Sequence, residues 1–267
     1  MPAGEVAVSE GVDALARVPR LLVALDFDGT VAPLVDDPSM SRVAPGAQAA
    51  IDRLRGIAGT WVAFVSGRPL ASLARLTESG TDALLVGSHG VEVSIRGEIA
   101  ELALSAEEND RMTRLEAALT GLVASVPLAH LEHKPVGYGV HTRRVVDQSL
   151  VPPLQAAARH AADGVGGFTT RVGKDIVEFS VRDVNKGDGV RMLRALLAGE
   201  EGGPVAVLYA GDDVTDEDAF AVLEPGDLGV KVGEGATQAR ARVADIPAFT
   251  QLLADLAARR EASVQLH

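Results

Sequence analysis

The chain has 267 residues, 47% of them hydrophobic and 23% charged, with a formal net charge of −12 and no cysteine. This composition suits a globular protein of one large or two modest domains, and it excludes disulfides, zinc–thiolate centres and cysteine nucleophiles. No apolar run approaches the ~18 residues of a membrane span, and no basic face speaks for a nucleic-acid partner.

Residues 1–20 read as a loose lead-in or a short helix. Their start, Met1-Pro2-Ala3-Gly4-Glu5, lacks the basic region and apolar core of a secretory leader, and with the missing cysteines this gives the expectation of a cytoplasmic protein. Leu21–Leu25 is an apolar strand that ends abruptly in Asp26-Phe27-Asp28-Gly29-Thr30. Two acids at the end of a buried strand are costly unless a cation or partner holds them. Pro45–Gly56 has helical spacing, Trp61–Val65 is a second strand with Trp61 in the core, Leu70–Leu76 starts a helix, and Ala83–Val86 is a third strand. Much later come a helix marked by Val190, Leu193, Leu196 and Leu197, strands at Val205–Tyr209 and Leu228–Val232, and an amphipathic helix through Phe249, Leu252, Leu253 and Leu256. The Ala- and Arg-rich tail, Leu256–His267, reads as the frayed end of that helix. Apolar strands alternating with helices predict an α/β fold, a Rossmann-like parallel sheet covered on both faces.

Residues 104–182 break this rhythm. A charged helix over Ala106–Leu122 is followed by a strand or hairpin over Leu131–Arg144, a helix near Pro153–Ala162 and a hairpin over Phe168–Val181 that turns at Gly173-Lys174. The expectation is an inserted α+β cap over 104–182 in a core made of 1–103 and 183–267.

Open α/β sheets bind ligands beyond the carboxyl ends of their strands. Asp26 and Asp28 follow the first strand, Ser66, Gly67 and Arg68 the second, Ser88, His89 and Gly90 the third, and Gly211-Asp212-Asp213-Val214-Thr215-Asp216-Glu217 the Val205–Tyr209 strand. Lys186 sits just before a helix. Carboxylates, a hydroxyl, an arginine and a lysine on one rim point to phosphoryl transfer, which asks the protein chiefly for positioning and charge neutralisation. Asp26 is the expected nucleophile, and Asp28 the acid that protonates the leaving oxygen and then activates water. Ser66 and Lys186 would hold phosphate oxygens. Asp26, Asp28 and Asp212 are the expected ligands of Mg2+, with Asp213 and Asp216 orienting its waters. His89 reads equally as a structural hydrogen-bonder or a substrate contact, and His130, His133 and His160 carry no signal.

Asp26-Phe27-Asp28-Gly29-Thr30, Ser66-Gly67-Arg68, Lys186 and Gly211-Asp212-Asp213 resemble the four motifs of the haloacid dehalogenase superfamily, in the form carried by its phosphatases and mutases. Over residues 20–255 the chain is similar to trehalose-6-phosphate phosphatases. Asp26–Pro33, Gly87-Ser88-His89-Gly90-Val91-Glu92 and Gly211–Glu217 carry that likeness, with Glu132-His133-Lys134, Val140-His141-Thr142-Arg143 and Lys174-Asp175-Ile176-Val177-Glu178 in the cap segment. The resemblance implies Mg2+-dependent hydrolysis of trehalose 6-phosphate to trehalose and phosphate. It implies a cap whose polar residues grip the disaccharide, and the substrate-binding set expected on both readings is Arg68, His89, Gly90, Glu132, Lys134, Arg143, Lys174 and Glu178. Thr142 departs from the tyrosine common in the family at that place. That departure keeps other substrates open, namely sucrose 6-phosphate, a mannosyl-glycerate phosphate or a trehalose-like pseudo-disaccharide phosphate. A sugar phosphomutase and a non-catalytic sugar-phosphate sensor are further alternatives. The partner expected is the phosphorylated disaccharide, with no nucleic acid and no membrane, and the chain is expected as a monomer with a dimer as the alternative.

Overall fold

The structure, a computed structural model, describes residues 3–78, 80, 83–100, 104–173 and 175–264. The chain divides into two compact units, Met1–Glu101 with Asn185–His267, and Leu102–Val184.

The first unit opens with helix α1 (Ala3–Arg17) and strand β1 (Leu21–Leu25), whose five residues are all buried. Helix α2 (Pro45–Arg55), strand β2 (Thr60–Val65), helix α3 (Leu70–Leu76) and strand β3 (Leu84–Gly87) follow. Two further strands, β4 (Glu92–Ile95) and β5 (Glu98–Ala100), run antiparallel. They add an antiparallel edge to the expected parallel sheet. Their turn places Arg96 and Gly97 at positive φ (51° and 82°), the geometry of a tight primed hairpin without its usual Asn-Gly or Asp-Gly signature.

The second unit holds helix α4 (Ala106–Ala124), strands β6 (His130–Lys134) and β7 (Gly137–His141), helix α5 (Val151–Val165), and strands β8 (Thr169–Val172) and β9 (Ile176–Ser180). Its sheet has the order β6-β7-β9-β8 and is antiparallel throughout. Alternation sets its two faces. Tyr138, Val140, Val177 and Phe179 are buried, as are Met112, Leu115 and Leu119 of α4 and Leu154, Ala158 and Ala162 of α5. The other face carries Glu132, Lys134, His141, Arg171 and Glu178.

Ser105 caps α4 in a reciprocal box with Glu108, and Glu108 also accepts from Arg182 Nε at 2.7 Å. These bonds hold its carboxyl down at about 2, from an ordinary value of 4.5. A depressed folded value contributes stability that is complete above 4.5 and disappears as pH falls towards 2. Wild type and Glu108→Gln should therefore differ in urea midpoint at neutral pH and converge below pH 4.5, read by circular dichroism at several pH values.

The chain returns to the first unit with helix α6 (Lys186–Glu201), strand β10 (Ala206–Gly211), short helix α7 (Glu217–Phe220), strands β11 (Leu228–Val232) and β12 (Ala241–Val243), and helix α8 (Ile246–Val264). The large sheet has the order β12-β11-β10-β1-β2-β3-β4-β5. Leu21, Val23 and Leu25 face one apolar core with residues of α1, α2, α3 and α8; Leu22 and Ala24 face another with residues of α6 and α7. The chain leaves β1 towards β2 on one side, while β10 returns on the other, so the strand order reverses at β1. A crevice opens at such a reversal, beyond the carboxyl ends of the strands. Leu25 pairs with Ala210 and with Phe64, which brings the residues after β1, β2 and β10 to one rim. Among the described residues no helix is long and apolar enough to cross a membrane.

Candidate functional site

The rim gathers three carboxylates. Ligand oxygens of Asp26, Asp212 and Asp216 all lie within 4.8 Å of one another. Asp26 continues β1 by one residue, its N–H donating to Ala210 O at 2.9 Å. Its side chain is held at both oxygens: Lys186 Nζ donates to Oδ1 at 2.7 Å, and Thr30 Oγ1 to Oδ2 at 3.1 Å. Two glycines let the other acids approach. Gly29, at φ +79°, would place a Cβ 2.0 Å from Asp212 Oδ2, and a Cβ on Gly211 would lie 2.1 Å from Asp216 Cγ. Any side chain at either position would push a carboxylate out of the group.

Lys186 is the first residue of α6, a position where the helix dipole disfavours a cation. It is buried there because it donates to two carboxylates, Asp26 and Asp216, both at 2.7 Å. Burial alone would lower its pKa, but the two acids raise it above the ordinary lysine value. Burial pushes the Asp26 carboxyl up to about 7, against the pull of Lys186, and pushes Asp212 up to about 6, with the Asp216 charge adding to it. Tyr209, fully buried, donates to Asp216 at 2.7 Å, and its phenol is raised well above its ordinary value by burial and by that charge.

The three carboxylates against one ammonium leave an excess of two negative charges, and every candidate donor is a hard oxygen. A divalent cation of the magnesium or calcium class fits this donor set.

Asp216, expected to orient waters, is thus a member of the trio, fixed by Lys186, Tyr209 and the Asp213 N–H at 2.9 Å. Asp28, expected as a ligand, is placed outside it. Its carboxylate oxygens accept from Arg68 Nε at 2.5 Å and Arg68 Nη2 at 2.6 Å. Asp213 is exposed. Ser66 is buried, and its Oγ accepts from the Arg68 N–H at 3.2 Å. His89 and Gly90 form a tight turn at positive φ, and the His89 ring lies against Gly67, where a Cβ would come within 2.5 Å of it.

In the second unit, Glu132, Gly139, Glu178 and Arg171 stand in one row across the sheet. Lys134 Nζ donates to Glu178 and lies 3.8 Å from Glu132, while His141 Nε2 meets Glu132 at 2.8 Å. Glu132, Lys134 and Glu178 are thus brought together, with His141, which was not among the residues expected to bind substrate. Arg143 is exposed beyond β7. Lys174 lies outside the described residues. Thr142 is buried, its hydroxyl donating to Asp175 O at 3.1 Å, so it serves the loop.

Sequence reasoning passed over Thr30, Tyr209 and Lys231. Lys231, 3% exposed inside β11, donates from Nζ to Asp212 O at 2.7 Å and so fixes the loop that presents Asp212. Its signal was available: a lysine in the otherwise apolar run Leu228-Gly229-Val230-Lys231-Val232 is buried at a cost that requires a partner.

Residues 24–246 match the family model described as trehalose-phosphatase. The trehalose-phosphate phosphatase of Mycobacterium ulcerans (strain Agy99) is 32% identical over 258 residues, which cover 91% of this chain and 63% of that protein. This chain therefore spans just under two thirds of that relative's length. Among solved structures, the C-terminal domain of the C. albicans trehalose-6-phosphate phosphatase superposes with a TM-score of 0.76 at 22% identity, covering 94% of this chain and 96% of that one. A trehalose-6-phosphate phosphatase related protein superposes with a TM-score of 0.68 at 27% identity, covering 92% and 100%. The first of these likenesses speaks for the fold alone.

Proposed function

The chain belongs to the trehalose-phosphatase family, and from that premise we propose that it is a Mg2+-dependent phosphatase that converts trehalose 6-phosphate to trehalose and phosphate. The observation that carries this reading is the trio of Asp26, Asp212 and Asp216, with the buried Lys186 shared by Asp26 and Asp216, at the sheet's reversal point. On this reading the first unit is the catalytic core and the second its cap.

Asp26 attacks phosphorus, and the bond from phosphorus to the sugar oxygen breaks as Asp28 gives that oxygen a proton. Asp28 then takes a proton from water, whose oxygen attacks phosphorus. The bond to Asp26 breaks, releasing inorganic phosphate and leaving Asp26 again a carboxylate and Asp28 again protonated. Ser66 and Lys186 steady the transferring group by donating to its oxygens. Asp26, Asp212 and Asp216 would hold the metal, which when bound supplies charge neutralisation between the carboxylates and the phosphate. The polar face bearing Glu132, Lys134, His141 and Glu178 suits recognition of a hydroxyl-rich ligand, and we assign it to the disaccharide.

A phosphate-release screen over sugar phosphates, with Mg2+ and with EDTA, tests the reading. Metal-dependent release greatest from trehalose 6-phosphate is expected. Release greatest from a monosaccharide phosphate would overturn the substrate assignment, and release unaffected by EDTA the metal assignment. Glu178→Ala should lower kcat/KM for trehalose 6-phosphate by about 10- to 100-fold, the cost of one lost charged hydrogen-bond partner, while sparing p-nitrophenyl phosphate. Equal losses on both substrates would make Glu178 a structural residue.

A further inference from the structure

We infer that Arg68 is a positioning residue that orients Asp28. The inference rests on the proposed role of Asp28 in moving the proton.

The backbone at Asp28 is fixed by a tight turn, in which the Val31 and Ala32 N–H groups donate to Phe27 O at 3.1 and 2.9 Å. That turn leaves the Asp28 side chain its rotamers, and the carboxylate is 29% exposed. Arg68 removes this freedom. Nε and Nη2 bond one carboxylate oxygen each, a two-point fork that sets the plane of the carboxylate as well as its place. The guanidinium is itself anchored: Nη1 donates to Pro38 O at 2.8 Å, and Cζ lies 5.3 Å from the ring centroid of Phe27, the fully buried residue between the two acids. Ser41 Oγ adds a bond to Asp28 Oδ1 at 3.3 Å.

Three of the five N–H donors of Arg68 are therefore committed, two to Asp28 and one to Pro38. A ligand reaching the remaining N–H groups would leave the fork on Asp28 intact, so the fork stands as the role of Arg68 whatever else it touches. The cations of the rim are thus divided: Lys186 serves Asp26 and Asp216, Lys231 the backbone of Asp212, and Arg68 the proton-handling acid.

The test is a double-mutant cycle on trehalose 6-phosphate hydrolysis with Mg2+ present. Arg68→Ala should lower kcat about 100-fold, the scale of a misplaced catalytic group, with KM within about threefold of wild type. In an Asp28→Asn background the same change should cost nothing further. Arg68→Lys, which keeps the charge and loses the fork, should stay close to Arg68→Ala. Guanidinium ion at millimolar concentration should restore part of the activity of Arg68→Ala and none of that of Asp28→Asn. A rise in KM with kcat held, or losses that multiply in the double variant, would place Arg68 on the substrate and overturn the inference. A loss of fold would lower the melting temperature and defeat guanidinium rescue, which also overturns it. Asp28→Asn at wild-type rate would instead remove the proposed role of Asp28, and with it anything for Arg68 to position.

Discussion

Replacing Asp26 by asparagine is expected to lower phosphate release from trehalose 6-phosphate by at least about 10,000-fold, the scale set by removal of a covalent nucleophile. The residue is isosteric and keeps one oxygen for Lys186 or Thr30, so the loss isolates the charge and nucleophilicity of the second oxygen. Stability should move the other way. Burial pushes the Asp26 carboxyl from 3.8 up to about 7, so in metal-free protein the cost of ionising it grows as pH rises through that window and is complete above it. Asparagine carries no such cost, and the variant should melt at or above the wild-type temperature at pH 8 without metal. Addition of Mg2+ should then raise the wild-type melting temperature by ligand linkage and raise that of the variant much less. Acid-quenched wild type given radiolabelled substrate should retain phosphate on the protein, and Asp26→Asn should retain none. Near-normal release by the variant would end the nucleophile assignment.

The positions of the charged rim residues were legible because strand ends are legible. Leu21–Leu25 is apolar at every residue, so its two-residue departure into Asp26 and Asp28 fixed where the strand stops and what stands there. The same logic found Ser66 and Asp212, while Lys186 was read from its place just before a helix. It did not find how the acids are shared among the cations, since that depends on side-chain direction across elements. Asp28 and Arg68 are 40 residues apart, and Lys186 reaches Asp26 across 160. Asp216 was read as an orienting group, while the tight turn over Val214–Asp216 folds it back onto Gly211. The hairpin of β4 and β5 escaped for a related reason: each strand is short, and the Arg96-Gly97 turn lacks the residues that usually announce one. In the second unit the alternation of Val177, Phe179 and Val181 against Glu178 was enough to place Glu178 on the polar face.

The last helix holds the largest departure from the sequence reading and the largest expected effect on stability. The tail after Leu256 was expected to fray, yet α8 continues to Val264 and Arg260 is fully buried. Among the described residues its partners are a hydroxyl and four carbonyl oxygens, with no carboxylate. Nε donates to Thr60 Oγ1 at 2.6 Å, Nη1 to Leu15 O and Val18 O at 3.1 and 2.7 Å, and Nη2 to Pro19 O and Gly59 O at 3.4 and 2.9 Å. Leu15 lies in the last turn of α1, where carbonyls lack helical partners and the dipole favours a cation. One guanidinium therefore ties the end of α1, the entry to β1 and the start of β2 to α8. Arg260→Met keeps the aliphatic stem and removes every donor. Several buried oxygens lose their partner at once, and the expected cost is about 3–5 kcal/mol, the range for breaking a buried charged network. For a chain of this size that corresponds to a melting temperature lower by roughly 10 °C. Arg260→Lys should recover only part of this, because a single ammonium has three donors and no fork. The network lies at the amino ends of β1 and β2, away from the rim, so kcat measured well below the melting transition should stay within about twofold of wild type. An Arg260→Met protein that melts with wild type would show that these five bonds contribute nothing net. One that folds normally but loses kcat would tie α8 to the site by a route that none of these contacts supplies.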